Sequence, residues 1–137
     1  MVNVFIDTNV LVDVVAMRDP FFDDSYRVFS RCAKGGEHRV LVSDLSICTM
    51  VYLVRKQLNR SQLRTMLDNL QKHLSIVPVG PRAIADAIAN FAEDFEDEVQ
   101  YRAALAAGAD IIVTRDKPGF VNAAIPVMSP AELLRSI

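Results

Sequence analysis

At 137 residues the chain can bury one hydrophobic core, and with 51% hydrophobic residues it is not a disordered polymer. The net charge of −2 excludes blanket attraction to nucleic acid, so any contact with RNA or DNA has to come from a local patch. Two cysteines, Cys32 and Cys48, without CxxC spacing exclude a disulfide framework and a structural zinc site, which fits a reducing cytosol.

The opening run Val2 to Ile6 is short, β-branched and aromatic, and reads as a buried strand. Asn9 to Met17 reads as a helix, with Val10, Val14 and Met17 at helical spacing and Asp13 interrupting the run. Pro20 closes this unit. Phe21 to Lys34 is an expected amphipathic helix with Phe22, Tyr26 and Phe29 on one face, stopped by Gly35-Gly36. Arg39 to Val42 is the second strand. Ser43 is placed to cap a helix running to about Leu58, and Ser61 to cap another ending near Leu74. Ser75 to Val79 is the third strand, and Gly80-Pro81 opens a helix with proline in its first turn. A further helix spans Phe95 to Ala107 with Gly108 as its C-cap. Ala109 to Thr114 and Ile125 to Met128 are the fourth and fifth strands. Ser129-Pro130-Ala131-Glu132 is a capping box opening the last helix. Strands alternating with helices predict one α/β domain, residues 1–137, with a parallel sheet covered on both faces. The opening apolar run is broken at Asp7 and lacks a basic leader. No apolar stretch reaches the ~20 residues of a membrane span. The expected location is the cytoplasm, away from membranes.

Charge is uneven. Residues 86–98 hold six acids and no base, whereas 51–75 hold Arg55, Lys56, Arg60, Arg64 and Lys72 against the single acid Asp68. Such a pattern suits a metal site beside a phosphate-binding rim, and equally suits ordinary solvated helix faces. Three aspartates stand out. Asp7 ends the first strand, Asp97 lies in the first turn of a helix, and Asp116 follows the fourth strand. In a parallel α/β sheet, groups at the C-terminal strand ends converge on one crevice. Carboxylates sharing a crevice repel unless a hard cation lies between them, and oxygen donors suit Mg²⁺ or Mn²⁺. Taken singly, each has a plain alternative as a helix cap, a turn residue or an acid favoured by the helix dipole. Thr8 and Asn9 can fix the geometry of Asp7, and Thr114 that of Asp116. Arg115 and Lys117 can reach a phosphate. Only two histidines occur, His38 and His73, neither near the acids in sequence, which argues against a Ser-His-Asp or Cys-His relay. No GxGxxG or Walker A loop is present.

Three segments carry a resemblance. They are Val4-Phe5-Ile6-Asp7-Thr8-Asn9-Val10-Leu11, then Asp94-Phe95-Glu96-Asp97-Glu98-Val99-Gln100, then Ala107-Gly108-Ala109-Asp110-Ile111-Ile112-Val113-Thr114-Arg115-Asp116. On these the sequence resembles the PIN-domain family, the fold of VapC-like toxin ribonucleases, from residue 1 to about residue 130. The resemblance implies a three-layer α/β/α fold with a five-stranded parallel sheet in the order 3-2-1-4-5. It implies Asp7, Asp97 and Asp116 as catalytic metal ligands for Mg²⁺ or Mn²⁺, supported by Thr8, Asn9 and Thr114. It also implies an RNA substrate, an antitoxin partner and a homodimer. Nuclease-active members usually carry a glutamate about six residues past the serine after the second strand; here that position is Thr49, as in the subgroup lacking this acid. Asp94, one helical turn before Asp97, can add a carboxylate, as can Asp44 or Glu98.

The leading expectation is a metal-dependent ribonuclease, possibly the toxin of a toxin–antitoxin pair, with Arg55, Lys56, Arg115 and Lys117 on the RNA backbone. The alternative is a catalytically weakened PIN-fold module that binds RNA or a protein partner, favoured by Thr49. A phosphatase of the haloacid-dehalogenase type needs a second aspartate where Asn9 stands. A receiver domain needs an aspartate after the third strand, where Gly80-Pro81 stands. The stripe Ile47, Val51, Val54 and Leu58 reads as core in preference to a dimer face.

Overall fold

The computed structural model describes residues 1–34 and 36–137, with Lys34 described in its backbone alone. Five strands, β1 (Val2–Ile6), β2 (His38–Ser43), β3 (Ser75–Val77), β4 (Ile111–Val113) and β5 (Val127–Met128), form an all-parallel sheet in the order β3-β2-β1-β4-β5. Seven helices are described: α1 (Thr8–Val15), α2 (Phe22–Lys34), α3 (Asp44–Val54), α4 (Arg60–His73), α5 (Gly80–Ala89), α6 (Phe95–Ala106) and α7 (Pro130–Ser136). A 3₁₀ turn, Lys117–Phe120, follows β4.

Side chains alternate across a strand, so β1 feeds two cores. Val4 and Ile6 pack with Val10, Val28, Val42, Met50 and Leu133 on one face. Phe5 packs with Leu41, Ala104, Ile112 and Phe120 on the other. All three β1 residues are fully buried, each burial being worth ~1.5–3 kcal/mol. A parallel sheet needs cover on both faces, which explains the uninterrupted apolar run. The chain places β1 between β2 and β4, so the sheet order reverses at β1. This is where crevices open at the C-terminal strand ends. There the Asp7 amide donates to the Val113 carbonyl at 3.0 Å, and the Thr114 amide to Met128 at 2.9 Å.

Several local expectations need correction. Helix α1 ends at Val15, and Met17 takes a left-handed backbone (φ 53°) and faces solvent. Val10 is buried as expected, and Leu11, Val12 and Asp13 are buried with it. On α2, Val28 and Cys32 enter the core while Tyr26 lies outside, stacked on Phe22 at 5.5 Å between ring centroids. Asn59, not Ser61, caps α4, because its side chain and that of Gln62 close a reciprocal capping box. β3, β4 and β5 are each shorter than expected. The expected Gly35-Gly36 stop of α2 falls partly outside the described residues, since Gly35 is not among them. Ser43 caps α3, Ser129 with Glu132 forms the capping box of α7, and Gly108 (φ 75°) lies just past the end of α6, as expected. Val54 is buried, and Ile47, Val51 and Leu58 pack against the core. No described helix is long and apolar enough to cross a membrane.

Candidate metal centre

Asp7 is the N-cap of α1 and is held from both sides. Its Oδ1 accepts from the Thr8 amide at 2.8 Å and its Oδ2 from the Thr114 hydroxyl at 2.8 Å. The same Thr114 oxygen accepts from the Asp116 amide at 3.0 Å. One buried hydroxyl therefore orients the two strand-end aspartates. Asn9 Oδ1 accepts from the Arg115 amide at 3.4 Å, tying α1 to the loop after β4. Asp97 sits in the first turn of α6, and its amide is capped by Asp94 Oδ1 at 3.0 Å.

Asp94, Asp97 and Asp116 each present an oxygen within 4.8 Å of the others. Asp7 stands beside this trio. Burial, then the negative charges of Asp7, Asp94 and Asp116, push the Asp97 carboxyl from its usual 3.8 up to about 7. Burial also raises Asp7, against the opposing hydrogen bonds from Thr114 and Thr8. Asp97 Oδ2 is buried and has no hydrogen-bond partner among the described residues. An unpartnered carboxylate oxygen facing two more carboxylates is a costly arrangement for the protein alone and a good one for a hard cation. The donor set, all oxygen and acidic, fits Mg²⁺ or Mn²⁺.

The mouth of the site is a cleft of about 500 Å³ between α6 and the 3₁₀ turn, lined by Asp94, Asp97, Tyr101, Arg102, Asp116 and Phe120 among others. Gly119 closes directly on the acids. A β-carbon there would overlap Asp97 Oδ2 and stand 2.9 Å from its Cγ and 3.4 Å from Asp116 Oδ2.

Thr8 supports Asp7 through its amide, while its hydroxyl is turned inward to Ser46 at 2.6 Å. Thr49 is half-buried on α3, one turn beyond Ser46. Arg115 pairs with the fully buried Asp13 and lies over the Phe21 ring at 3.8 Å. Lys117 bridges to Glu132 at 2.9 Å. Arg55 folds back on the Tyr52 carbonyl and ring, and Lys56 is exposed. Asp44 accepts from the Val79 amide at 3.1 Å, and Glu98 pairs with Arg102 at 3.1 Å, so neither joins the acidic trio. Sequence reasoning missed Asp13 as an ion-pair partner, Gly119 as the close contact, and Ser46 and Gln100 as buried polar residues. The only sequence signals were a charge inside an apolar helix and a glutamine one turn after Asp97.

The PIN domain family model matches residues 3–118. No curated protein matches the chain. Among solved structures, VapBC2 from Rickettsia felis bound to a promoter DNA fragment is 17% identical with a TM-score of 0.69, covering 93% of this chain and 97% of that one. DNA-bound VapBC from Salmonella typhimurium is 15% identical with a TM-score of 0.70, covering 95% and 99%. VapC20 from Mycobacterium tuberculosis, described as a toxin that cleaves the sarcin-ricin loop, is 14% identical with a TM-score of 0.62, covering 80% and 86%. At such identities the likeness speaks for the fold, and the family model speaks for the lineage. With that model spanning most of the chain and the sheet order matching, this protein belongs to the PIN domain family.

Proposed function

We propose that the protein is a Mg²⁺- or Mn²⁺-dependent ribonuclease acting as the toxin of a toxin–antitoxin pair, built as a single domain. The observation that carries this reading is the cluster of Asp94, Asp97 and Asp116 beside Asp7, with the buried Asp97 Oδ2 unpartnered. When bound, a divalent ion supplies an activated water at neutral pH and positive charge for the phosphate oxygens. Asp94, Asp97 and Asp116 are the residues that would hold it. Asp7, fixed by Thr8 and Thr114, completes the negative field. Each of its oxygens accepts one of these hydrogen bonds and keeps lone-pair capacity, so Asp7 can also ligate the ion without losing these contacts. Thr114 keeps Asp7 and Asp116 in register. Arg115 and Lys117 spend much of their charge on Asp13 and Glu132. Arg55 and Lys56 are therefore the cations we assign first to the RNA backbone. The fold likeness to VapBC2 and VapBC supports an antitoxin as the protein partner in this reading, and a homodimer belongs to the same reading.

The test is Mn²⁺ titration calorimetry on the wild type and on Asp7→Asn, followed by RNA cleavage assays. Saturable binding and cleavage by the wild type, both lost in a folded Asp7→Asn, are expected. Equal cleavage by the variant refutes the assignment. A second reading, a PIN-fold binding module with weak catalysis, is favoured by Thr49, a neutral residue where nuclease-active members usually carry an acid. Thr49→Glu separates the two. A large gain in metal affinity and cleavage marks a natural site short of one charge, and no gain marks a site already complete.

A further inference from the structure

Behind the acids lies a buried polar node that the metal reading does not use. Ser46 on α3, Gln100 on α6, Thr8 on α1 and Ser43 at the end of β2 are all nine-tenths or more buried. Gln100 Nε2 donates to Ser46 Oγ at 2.9 Å and to Thr8 Oγ1 at 3.2 Å. Ser43 Oγ donates to Ser46 Oγ at 3.1 Å, and the Thr8 and Ser46 hydroxyls meet at 2.6 Å. Ser46 Oγ has two lone pairs, filled by Ser43 and Gln100, so its own proton goes to Thr8. The other end of the Gln100 amide, Oε1, is buried without a partner among the described residues. Turning the amide over would only exchange which end is orphaned.

A buried amide with one end unpaired is poor material for stability. Leaving such a group unsatisfied costs ordinary proteins free energy that an apolar side chain of the same shape avoids. The node is better explained by what it joins. Thr8 follows Asp7 directly, and its amide caps Asp7 Oδ1. Gln100 lies three residues after Asp97, on the same face of α6. Like charges on Asp7, Asp94, Asp97 and Asp116 push these elements apart, and the node ties α1, α3 and α6 at one point just behind them.

We infer that Gln100, acting through Ser46 and Thr8, is a positioning residue that sets the separation of Asp97 from Asp7 and hence the metal affinity of the site. This rests on the metal reading above. The network is neutral, and Ser46 sits one turn before Thr49 on α3. It therefore aligns the acids without adding the charge that Thr49 withholds.

The test compares wild type, Gln100→Met and Ser46→Ala by Mn²⁺ calorimetry at a temperature where circular dichroism shows each fully folded, together with melts of the metal-free proteins. The expected result is a Kd weakened in Gln100→Met by roughly 10-fold, the low end of what losing a direct partner of a metal ligand costs, because Gln100 reaches Asp7 only through Thr8. Its melting temperature should be no lower than that of the wild type. A wild-type Kd in folded Gln100→Met, whatever its melting temperature, overturns the inference and leaves the node a structural feature. Should Gln100→Met fail to fold, Ser46→Ala removes the central hydroxyl alone and carries the same two outcomes. No Mn²⁺ binding by the wild type brings down the metal reading, and this inference with it. Equal binding by all three proteins brings down this inference alone.

Discussion

Replacing Asp97 by Asn should stabilise the metal-free protein at alkaline pH. Burial and the neighbouring acids raise the Asp97 carboxyl from 3.8 to about 7. Between about pH 4 and 7 the folded state then holds a proton that the unfolded chain has released. Stability therefore falls as pH rises through this window and levels off above it. At roughly 1.4 kcal/mol per tenfold change in proton affinity, the charge on Asp97 costs the apo protein an upper bound of about 4 kcal/mol at pH 8. Asn is close in shape and carries no charge. The backbone amide of residue 97 keeps its bond to Asp94. Melts in excess chelator should place Asp97→Asn roughly 5–15 °C above wild type at pH 8 for a domain of this size. At pH 5 the gap should shrink to roughly a third, and it should close below about pH 3.8, where Asp97 is protonated in the folded and unfolded states alike. Mn²⁺ should reverse the order at pH 8 by stabilising the wild type through mass action and leaving the variant unmoved. An Asp97→Asn variant that melts at or below wild type at pH 8 in chelator would refute the account of a crowded acidic site.

Two more predictions follow from contacts beside the acids. Gly119→Ala should displace either the 3₁₀ turn or the Asp97 carboxylate, because the added carbon overlaps it. Calorimetry should show Mn²⁺ affinity lowered by roughly 10- to 100-fold with little change in melting temperature, and unchanged affinity would show that the turn yields freely. Arg115→Ala should cost about 3 kcal/mol, since it strands the fully buried Asp13 without its cation. Urea titration should show this loss partly recovered in the double variant Asp13→Leu with Arg115→Ala. A fully stable single variant would free Arg115 for RNA.

The alternation of strands and helices was legible from apolar periodicity, the strand order only through the resemblance to the PIN-domain family, and the meeting of Asp97 and Asp116 from the rule that parallel strands end on one edge. Asp94 was legible from its helical spacing to Asp97. Other features were hidden for definite reasons. Ser61 and Asn59 both offer a capping oxygen, and only the reciprocal bond with Gln62 decides between them. Tyr26 keeps helical spacing with Phe22 and Phe29, yet the α2 face turned inward is set by packing against β2 and α7, and Met17 lies past the end of α1. Ser46 gave no local signal and Gln100 only its place one turn after Asp97, since their shared partner Thr8 lies 38 and 92 residues away. Arg115 was read as a phosphate ligand because Asp13, 102 residues distant, could not be seen to face it.

Glu132 belongs to two structures at once. It closes the capping box that starts α7, and it receives Lys117 from the first residue of the 3₁₀ turn, whose Gly119 rests on Asp97. The Ser129 amide, then Lys117, hold its carboxyl down at about 2, so the tie stays charged through the whole neutral and mildly acidic range. Helix α7 also packs against α2. The seating of the last helix and the closeness of the turn to the acids therefore share one carboxylate, so a change that unseats α7 also removes the anchor of the turn at the rim of the acidic cleft.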